Sequence, residues 1–293
     1  MLFPSAWPGG EVCSNDEAMT AAASFRSLLK QIAPQPVARL ARKMLLWQRR
    51  AQFRPYNITK TIAGESFSFC IADETGELWY RGEQGSVYEE LAFIRDHMLS
   101  PNDLVFDVGA HHGLHTICMA RHAARVVSIE PNPHNVAVLK QNIRLNLLDN
   151  VAIRQVAVGA SPCKIKLLQD SDQGGVVLRE AGISPTVDVE LLTLDQLAHD
   201  HGFPQLLKID VEGFEAAVLR GAAQVLQTRP KIAIEIHVDW VSRYGSSVPE
   251  VVNLLNLKSY RAWVLPFNSK LEAWNGKDFS EYPQPKFMVF LLP

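Results

Sequence analysis

Long apolar runs are missing from this sequence: no stretch reaches the ~18 uninterrupted apolar residues of a membrane-spanning helix. Cysteine is scarce. Cys13, Cys70, Cys118 and Cys163 lie far apart with no CxxC pair, which speaks against a zinc ribbon and suits reduced thiols in a cytosolic protein better than disulfides. The opening MLFPSAWPGGEVCSNDEAMT has neither a basic start nor an apolar stretch behind it, so it does not read as a secretory signal. Internal repeats, low-complexity tracts and the dinucleotide fingerprint GxGxxG are all absent. What is present, 47% apolar and 20% charged residues with a net charge of -2 over 293 residues, belongs to a globular chain with a core, not to a disordered one. That length allows one large domain or two small ones.

Acid is missing from one segment only. Residues 24–60 carry nine Lys or Arg and no Asp or Glu, whereas residues 61–293 hold 20 bases against 28 acids. A basic helical extension, residues 1–60, therefore precedes an acidic body. Leu28, Leu29, Ile32, Val37, Leu40, Met44, Leu45 and Trp47 recur at loosely helical spacing around Pro34 and Pro36, which predicts two short helices with a proline break. The extension is expected to be solvated, or to touch a membrane face or partner; nothing in it suggests nucleic-acid binding.

Residues 61–100 read as a hairpin, ESFSFCIA with GELWYR around Asp73–Gly76, followed by the helical pattern SVYEELAFIRDHML. From 101 to 293 apolar runs alternate with amphipathic helices: LVFDVGA, RVVSIEP, VAIRQVAVG, QLLKIDVEG and KIAIEIH as strands, then YRAWVLPF and KFMVFLLP joined by a loop without a crossover helix. In the helix after RVVSIEP, one stripe is expected to carry Val136, Leu139, Ile143 and Leu147. Continuous apolar strands between helices mark a sheet covered on both faces, so the expected fold is α/β: a doubly wound, seven-stranded, mostly parallel Rossmann-like sheet. The last two strands are expected to be antiparallel, because parallel neighbours need a longer crossover.

In such a sheet ligands bind beyond the carboxyl ends of the strands. The first core strand ends Asp107-Val108-Gly109-Ala110-His111-His112-Gly113, and the second ends at Glu130. A glycine turn feeding a helix start suits a carboxylate or phosphate, and an acid at the second strand end suits the hydroxyls of a ribose. The pattern is DxGxxxG. Asp107 would repel a pyrophosphate but suits an ammonium, which points to S-adenosylmethionine. The candidate cofactor contacts are Asp107, Gly109, Ala110, His111, Gly113, His115, Thr116, Glu130, Pro131 and Asn132.

FDVGAHHGLHT, SIEPNP, LTLDQL, LKIDVEGFEAAVLRGA and PKIAIEIH, in that order, resemble the FkbM family of class I S-adenosylmethionine-dependent methyltransferases, over about Asp103 to His237. His111 stands where that family usually has a small residue or asparagine. The resemblance implies a seven-stranded sheet with one antiparallel strand, and methylation of a hydroxyl oxygen on a small molecule such as a sugar or polyketide-like product.

A hydroxyl acceptor must lose its proton near the transition state. Asp210 and Glu212 end the fourth strand, and Glu235 and His237 the fifth, two residues apart and so on one side. These four are the candidate catalytic residues, with Asp210 or His237 as base. A divalent metal held by the same four is the alternative route and is not favoured. Lys208 reads as a structural anchor. His111, His112 and His115 are not favoured as a metal site, and His122, His134, His199 and His201 are expected to face solvent. Asp188 and Asp195 are expected to organise a loop, Trp79, Tyr80 and Tyr88 to form the hairpin underside or a lid, and the segment around Gly174-Gly175 to be a mobile acceptor loop. The rival readings are a nucleotide-dependent oxidoreductase and a catalytically degenerate cofactor-binding scaffold.

Overall fold

The computed structural model describes residues 52–81, 85–168, 176–177, 186–282 and 285–293, with isolated helical positions at 37, 40, 44 and 48. The predicted helices of the basic extension and the Gly174-Gly175 loop therefore lie almost wholly outside the described residues. Strands β1 (Tyr56–Ile62) and β2 (Glu65–Ile71) form an antiparallel hairpin closed by Ala63-Gly64. Both turn residues have positive φ, 50° and 85°, as a two-residue turn matched to strand twist requires.

The hairpin predicted around Asp73–Gly76 is thus displaced by one strand. Its first half is β2, whose partner is YNITKTI upstream, and GELWYR lies instead in helix α1 (Glu74–Arg81). Local capping explains the difference. The Asp73 carboxylate accepts from the Gly76 backbone N–H at 2.7 Å, a bond that starts a helix and leaves no turn for a hairpin. Helix α2 (Gly85–Phe93) follows and runs into a π-helical turn, Ile94–Met98.

The core then alternates as expected: β3 (Leu104–Val108), α3 (Leu114–Ala120), β4 (Arg125–Ile129), α4 (Pro133–Leu145) and β5 (Val151–Arg154). Helix α4 begins on Asn132, whose side chain accepts from His134 N, with proline in the first turn. Val136, Leu139 and Ile143 are buried as the stripe predicted, but Leu147 is 90% exposed. The helix ends at Leu145, and Leu147 has a left-handed backbone beyond it. A second sheet, not anticipated in the sequence, follows: β6 (Ala157–Val158), β7 (Cys163–Leu168), β8 (Val176–Val177) and β9 (Thr186–Leu192), in the order β6-β9-β7-β8.

Helix α5 (Leu194–His201) starts with a reciprocal cap between Thr193 and Gln196. Strand β10 (Leu206–Ile209) leads to α6 (Glu215–Arg220) and α7 (Ala223–Gln227), and β11 (Lys231–His237) to α8 (Val248–Leu254). Strands β12 (Arg261–Pro266), β13 (Glu272–Ala273) and β14 (Lys286–Leu292) close the chain.

The main sheet has the order β13-β12-β14-β11-β10-β3-β4-β5. β14 is antiparallel to both β11 and β12, while β11, β10, β3, β4 and β5 pair in parallel. The class I methyltransferase architecture, Rossmann-like with one reversed strand, is therefore present, extended by the two-residue edge strand β13. Helices cover both faces, and the central strand residues Val105, Phe106, Leu206, Leu207, Ile232 and Ile234 are completely buried. At ~25 cal/mol per Å² of apolar surface, this two-sided burial is what fixes the strand ends against one another. Among the described residues no helix is long and apolar enough to cross a membrane.

Candidate active site

The carboxyl ends of β3, β4, β10 and β11 open into one cleft, lined at one end by Gly109, Ala110, His111, Glu130 and Pro131 and at the other by Lys208, Asp210, Glu212, Glu235 and Lys286. Val156, Ala157, Val158, Leu167 and Phe214 form an apolar wall, and Trp79 and Tyr80 of α1 reach in from the N-terminal side.

The first end is built on backbone. Gly109 has φ +83°, and a Cβ there would stand 1.7 Å from the Asp210 carbonyl oxygen, so only glycine lets these two strand ends approach. Glu130 is held by three donors. His111 N reaches one carboxylate oxygen at 2.9 Å; Asn132 N and Asn135 Nδ2 reach the other at 2.9 and 3.2 Å. Burial pushes its pKa up to about 7 against those hydrogen bonds. The carboxylate is thus aimed at the cleft with a fixed plane and spare lone pairs.

Of the predicted cofactor contacts, Gly109, Ala110, His111, His115, Glu130 and Pro131 line the cleft, whereas Asp107, Gly113, Thr116 and Asn132 do not. Asp107 lies beneath the floor, fully buried, accepting from Thr116 Oγ1 and 3.6 Å from Lys208 Nζ. The sheet register makes the reason plain: Asp107 and Lys208 are direct neighbours on β3 and β10. Lys208 is indeed the anchor, within 3.4 Å of Asp210 as well, and the acids around it raise its pKa in spite of burial. Thr116 and Asn132 serve as local braces, one on Asp107 and one on the start of α4.

The second end is dense in charge. Burial alone would raise Asp210, but Lys208, His237 and Lys286 hold its carboxyl well below the usual range. Glu212 occupies a left-handed backbone position, φ 53°, in the turn whose Gly213 packs on the Trp240 backbone. Its pKa is raised, first by burial. His237 is 5% exposed and does not line the cleft. Its Nδ1 is 2.9 Å from Glu215, and its Nε2 is 3.1 Å from Glu212, 3.3 Å from Glu235 and 3.9 Å from Asp210. Burial opposes its charge, yet these carboxylates push its pKa up to about 12. Four carboxylates around one ring favour the imidazolium, which ties the acids together, over the neutral imidazole that the expected base requires. Asp210, Glu212 and His237 each present an atom within 4.8 Å of the others, spacing that suits a divalent cation; the imidazolium already supplies positive charge there.

Several participants escaped sequence reasoning. Lys286, on β14, pairs with Glu235 at 2.9 Å and lies over the Trp79 ring; the one base in KFMVFLLP is its only sequence signal. Glu215 is fully buried and accepts from Gly213 N; an acid on the apolar face of a helix is the corresponding clue. Glu90 of α2 binds His115 Nε2 at 2.7 Å. His134, expected to face solvent, instead contacts Asp73 at 2.5 Å. His112, fully buried, is held down at about 3 by burial and the neighbouring His111. Asp195 does not organise the loop before its own helix: it lies in the first turn of α5 and accepts from Gln224 N and Val225 N at the start of α7, and Asp188 pairs on the surface with Lys166.

Comparison with known proteins gives the family. The methyltransferase FkbM domain model matches residues 107–262. The hexuronic acid methyltransferase AglP of Haloferax volcanii is 26% identical over 182 residues, covering 60% of this chain and 72% of that protein. A probable cobalt-precorrin-6B C(15)-methyltransferase (decarboxylating) of Methanobrevibacter smithii is 45% identical over 56 residues, 19% of this chain and 30% of that protein. A solved methyltransferase FkbM from Methylobacillus flagellatus superposes with a TM-score of 0.44 at 16% identity, over 70% of this chain and 50% of that one; the chain thus spans half the length of that structure. The family model alone takes in more than half of the residues, from the acid beneath the glycine turn to the strand beyond the acidic cluster, and the chain belongs to the methyltransferase FkbM domain family.

Proposed function

We propose that this protein is an S-adenosylmethionine-dependent O-methyltransferase whose acceptor is a hydroxylated small molecule, a sugar foremost. One observation carries the reading: a single cleft joins a backbone turn plus an oriented carboxylate, Gly109–His111 with Glu130, to the acids Asp210, Glu212 and Glu235. The hexuronic acid methyltransferase among the relatives supports a sugar as acceptor. The residues present fit the cofactor. Glu130 has the fixed orientation a ribose diol needs, and the bare Gly109 backbone leaves room beside it. Asp107 is spent on Lys208, so the acid available to an ammonium group is Asp210, which lines the cleft next to Gly109.

When bound, S-adenosylmethionine supplies a methyl group on a positively charged sulfur, open to in-line attack by oxygen. The chain's own task is to place the acceptor and take its proton. Glu212 is the group we assign as general base: it lines the cleft, and its carboxyl is raised towards the working range by burial. Asp210 is too acidic for that task and orients instead. His237 fixes Glu212 and Glu235 from behind, and the apolar wall limits water.

The test combines binding with turnover. Glu212→Gln should retain S-adenosylhomocysteine binding by calorimetry and lose ~10²–10⁴-fold in turnover, read by mass spectrometry on a panel of sugars and other hydroxylated compounds. Near-wild-type turnover in Glu212→Gln removes that residue as base. Cofactor binding without turnover on any hydroxylated compound favours the scaffold reading. Loss of activity on chelation, restored by a divalent ion, favours the metal route.

A further inference from the structure

A second cluster of ligating side chains lies apart from the acidic site. Asp73, His112 and His134 each offer an atom, and the three atoms lie within 4.8 Å of one another. They come from separate segments: the start of α1, the turn after β3, and the first turn of α4. Asp73 Oδ2 is 2.5 Å from His134 Nε2 and 3.7 Å from His112 Nε2.

The second observation is His112 itself. The ring is completely buried, and neither nitrogen has a hydrogen-bond partner with acceptable alignment among the described residues, although the Asn135 amide lies alongside. A neutral imidazole carries one donor and one acceptor; Asn135 can meet only one of them, and leaving the other unmet in the interior costs ~1–3 kcal/mol. The surrounding bonds show that the ring is held there on purpose of packing: Asn142 Nδ2 donates to the His112 carbonyl at 2.8 Å, the Tyr80 and His111 rings stack on either side, and the Nε2 edge is turned to Asp73. What the geometry lacks is a partner between the imidazole and the carboxylate.

We propose that Asp73, His112 and His134 form a binding site for a first-row divalent transition ion of the zinc type. Two imidazoles and one carboxylate are a borderline donor set of the kind such ions take, with a fourth position left to water. Bond lengths near ~2.0–2.1 Å in a tetrahedral site put neighbouring ligand atoms ~3.3 Å apart. The His112–Asp73 separation already allows this, and the His134–Asp73 contact must open by less than ~1 Å. Both rings coordinate through Nε2, so each keeps its proton on Nδ1, and the proton now shared between His134 and Asp73 moves to Nδ1 or leaves to solvent. His134 is partly exposed, its side chain 23% accessible, which gives the ion a way in. Asp73 would keep its second oxygen on Gly76 N. The bound ion would tie the hairpin side of the molecule to the turn that lines the cleft.

Zinc is the probe. The full-length chain, stripped with chelator, should take up one equivalent of Zn²⁺ at this site by calorimetry with elemental analysis, and its melting temperature should rise. Co²⁺ in its place should show the visible bands of a four-coordinate nitrogen–oxygen site. His134→Ala and Asp73→Asn, the second of which keeps a helix cap, should each weaken that binding at least ~100-fold, while Glu212→Gln should keep it. Uptake that persists in His134→Ala and Asp73→Asn, uptake lost only in Glu212→Gln, or no binding below millimolar free Zn²⁺ would each overturn the proposal.

Discussion

Two buried histidines, His237 beyond the last parallel strand and His112 in the turn after the first, show how one side chain takes opposite roles in one fold. Both rings are withdrawn from water, at 5% and 0% exposure, and burial alone would discharge both. Around His237 stand four carboxylates within 2.9–3.9 Å, which carry its pKa to about 12. Around His112 stand two histidine rings, a tyrosine and one acid 3.7 Å away, and the pKa falls to about 3. The sign of the shift follows the number of nearby acids, not depth. One ring is favoured as a cation that holds the acidic end of the cleft together; the other stays neutral behind the glycine turn, with one nitrogen lone pair to offer.

The largest effect is expected from removing the cation. His237→Leu leaves Glu215 buried and Glu212, Glu235 and Asp210 facing one another, and should destabilise the fold by ~3–5 kcal/mol in urea unfolding at pH 7. The pH dependence carries a definite sign. The folded pKa lies above the unfolded value of about 6.5, so the stabilisation by His237 is complete below pH 6.5 and disappears as pH rises towards 12. The gap between wild type and variant should therefore be widest at neutral and acid pH and narrow in alkali. A gap that does not depend on pH would mean that His237 acts through packing on Trp240, not through charge.

The contrast also explains how much the sequence disclosed. Strand-ending acids are legible because a parallel sheet places its carboxyl ends on one rim, so Glu130, Asp210, Glu212 and Glu235 all reach the cleft. The apolar runs marked the five parallel strands, and the missing crossover helix marked an antiparallel final pair, which β12 and β14 form. Register was not legible. Asp107 reads as a ligand-facing acid until its neighbour on β10 proves to be Lys208. His237 reads as a base until Glu215, one helix away, proves to share it. Asp73 looks like part of a hairpin turn because capping and turning use the same residue types, and its meeting with His112 and His134 joins segments 39 and 61 residues apart, which no local pattern records. The β6–β9 sheet was missed because the two-residue β6 merges with the apolar run of β5, and the partly exposed β7 and β9 are not continuous apolar runs.

A smaller effect should sharpen the comparison from a third buried group. Glu130 is pushed to about 7 by burial, against its three donors, so its charge is balanced near neutrality. If it holds the ribose, wild-type affinity for S-adenosylhomocysteine should improve as pH rises through 7 and the carboxylate forms. Glu130→Gln should bind ~10–100-fold more weakly at pH 8, as the ~1.5–3 kcal/mol of hydrogen bonds to a charged group implies, and its affinity should no longer vary with pH. Calorimetry from pH 6 to 8 reads both. Equal affinity in the two proteins at pH 8 would take Glu130 out of the cofactor site.

The smallest effect at neutral pH, and the most direct test of the contrast, is His112→Phe. A ring of similar shape replaces one that is neutral at pH 7, and the lost Asn135 contact offsets the unmet nitrogen that is removed, so stability there should change by no more than ~1 kcal/mol. Acid separates the two proteins. The folded pKa of His112 lies below the unfolded value, so below about pH 6.5 the unfolded chain takes up a proton that the folded chain refuses. Wild type should lose stability at up to ~1.4 kcal/mol per pH unit on this account between pH 6.5 and 4, and His112→Phe should lose correspondingly less. Urea midpoints in chelator, to keep metal from the Asp73 cluster, measure the difference. The direction is opposite to that of His237, whose contribution fades in alkali. Parallel acid limbs for wild type and His112→Phe would show that His112 accepts its proton inside the fold, and that one nearby carboxylate is enough to do what four do at His237.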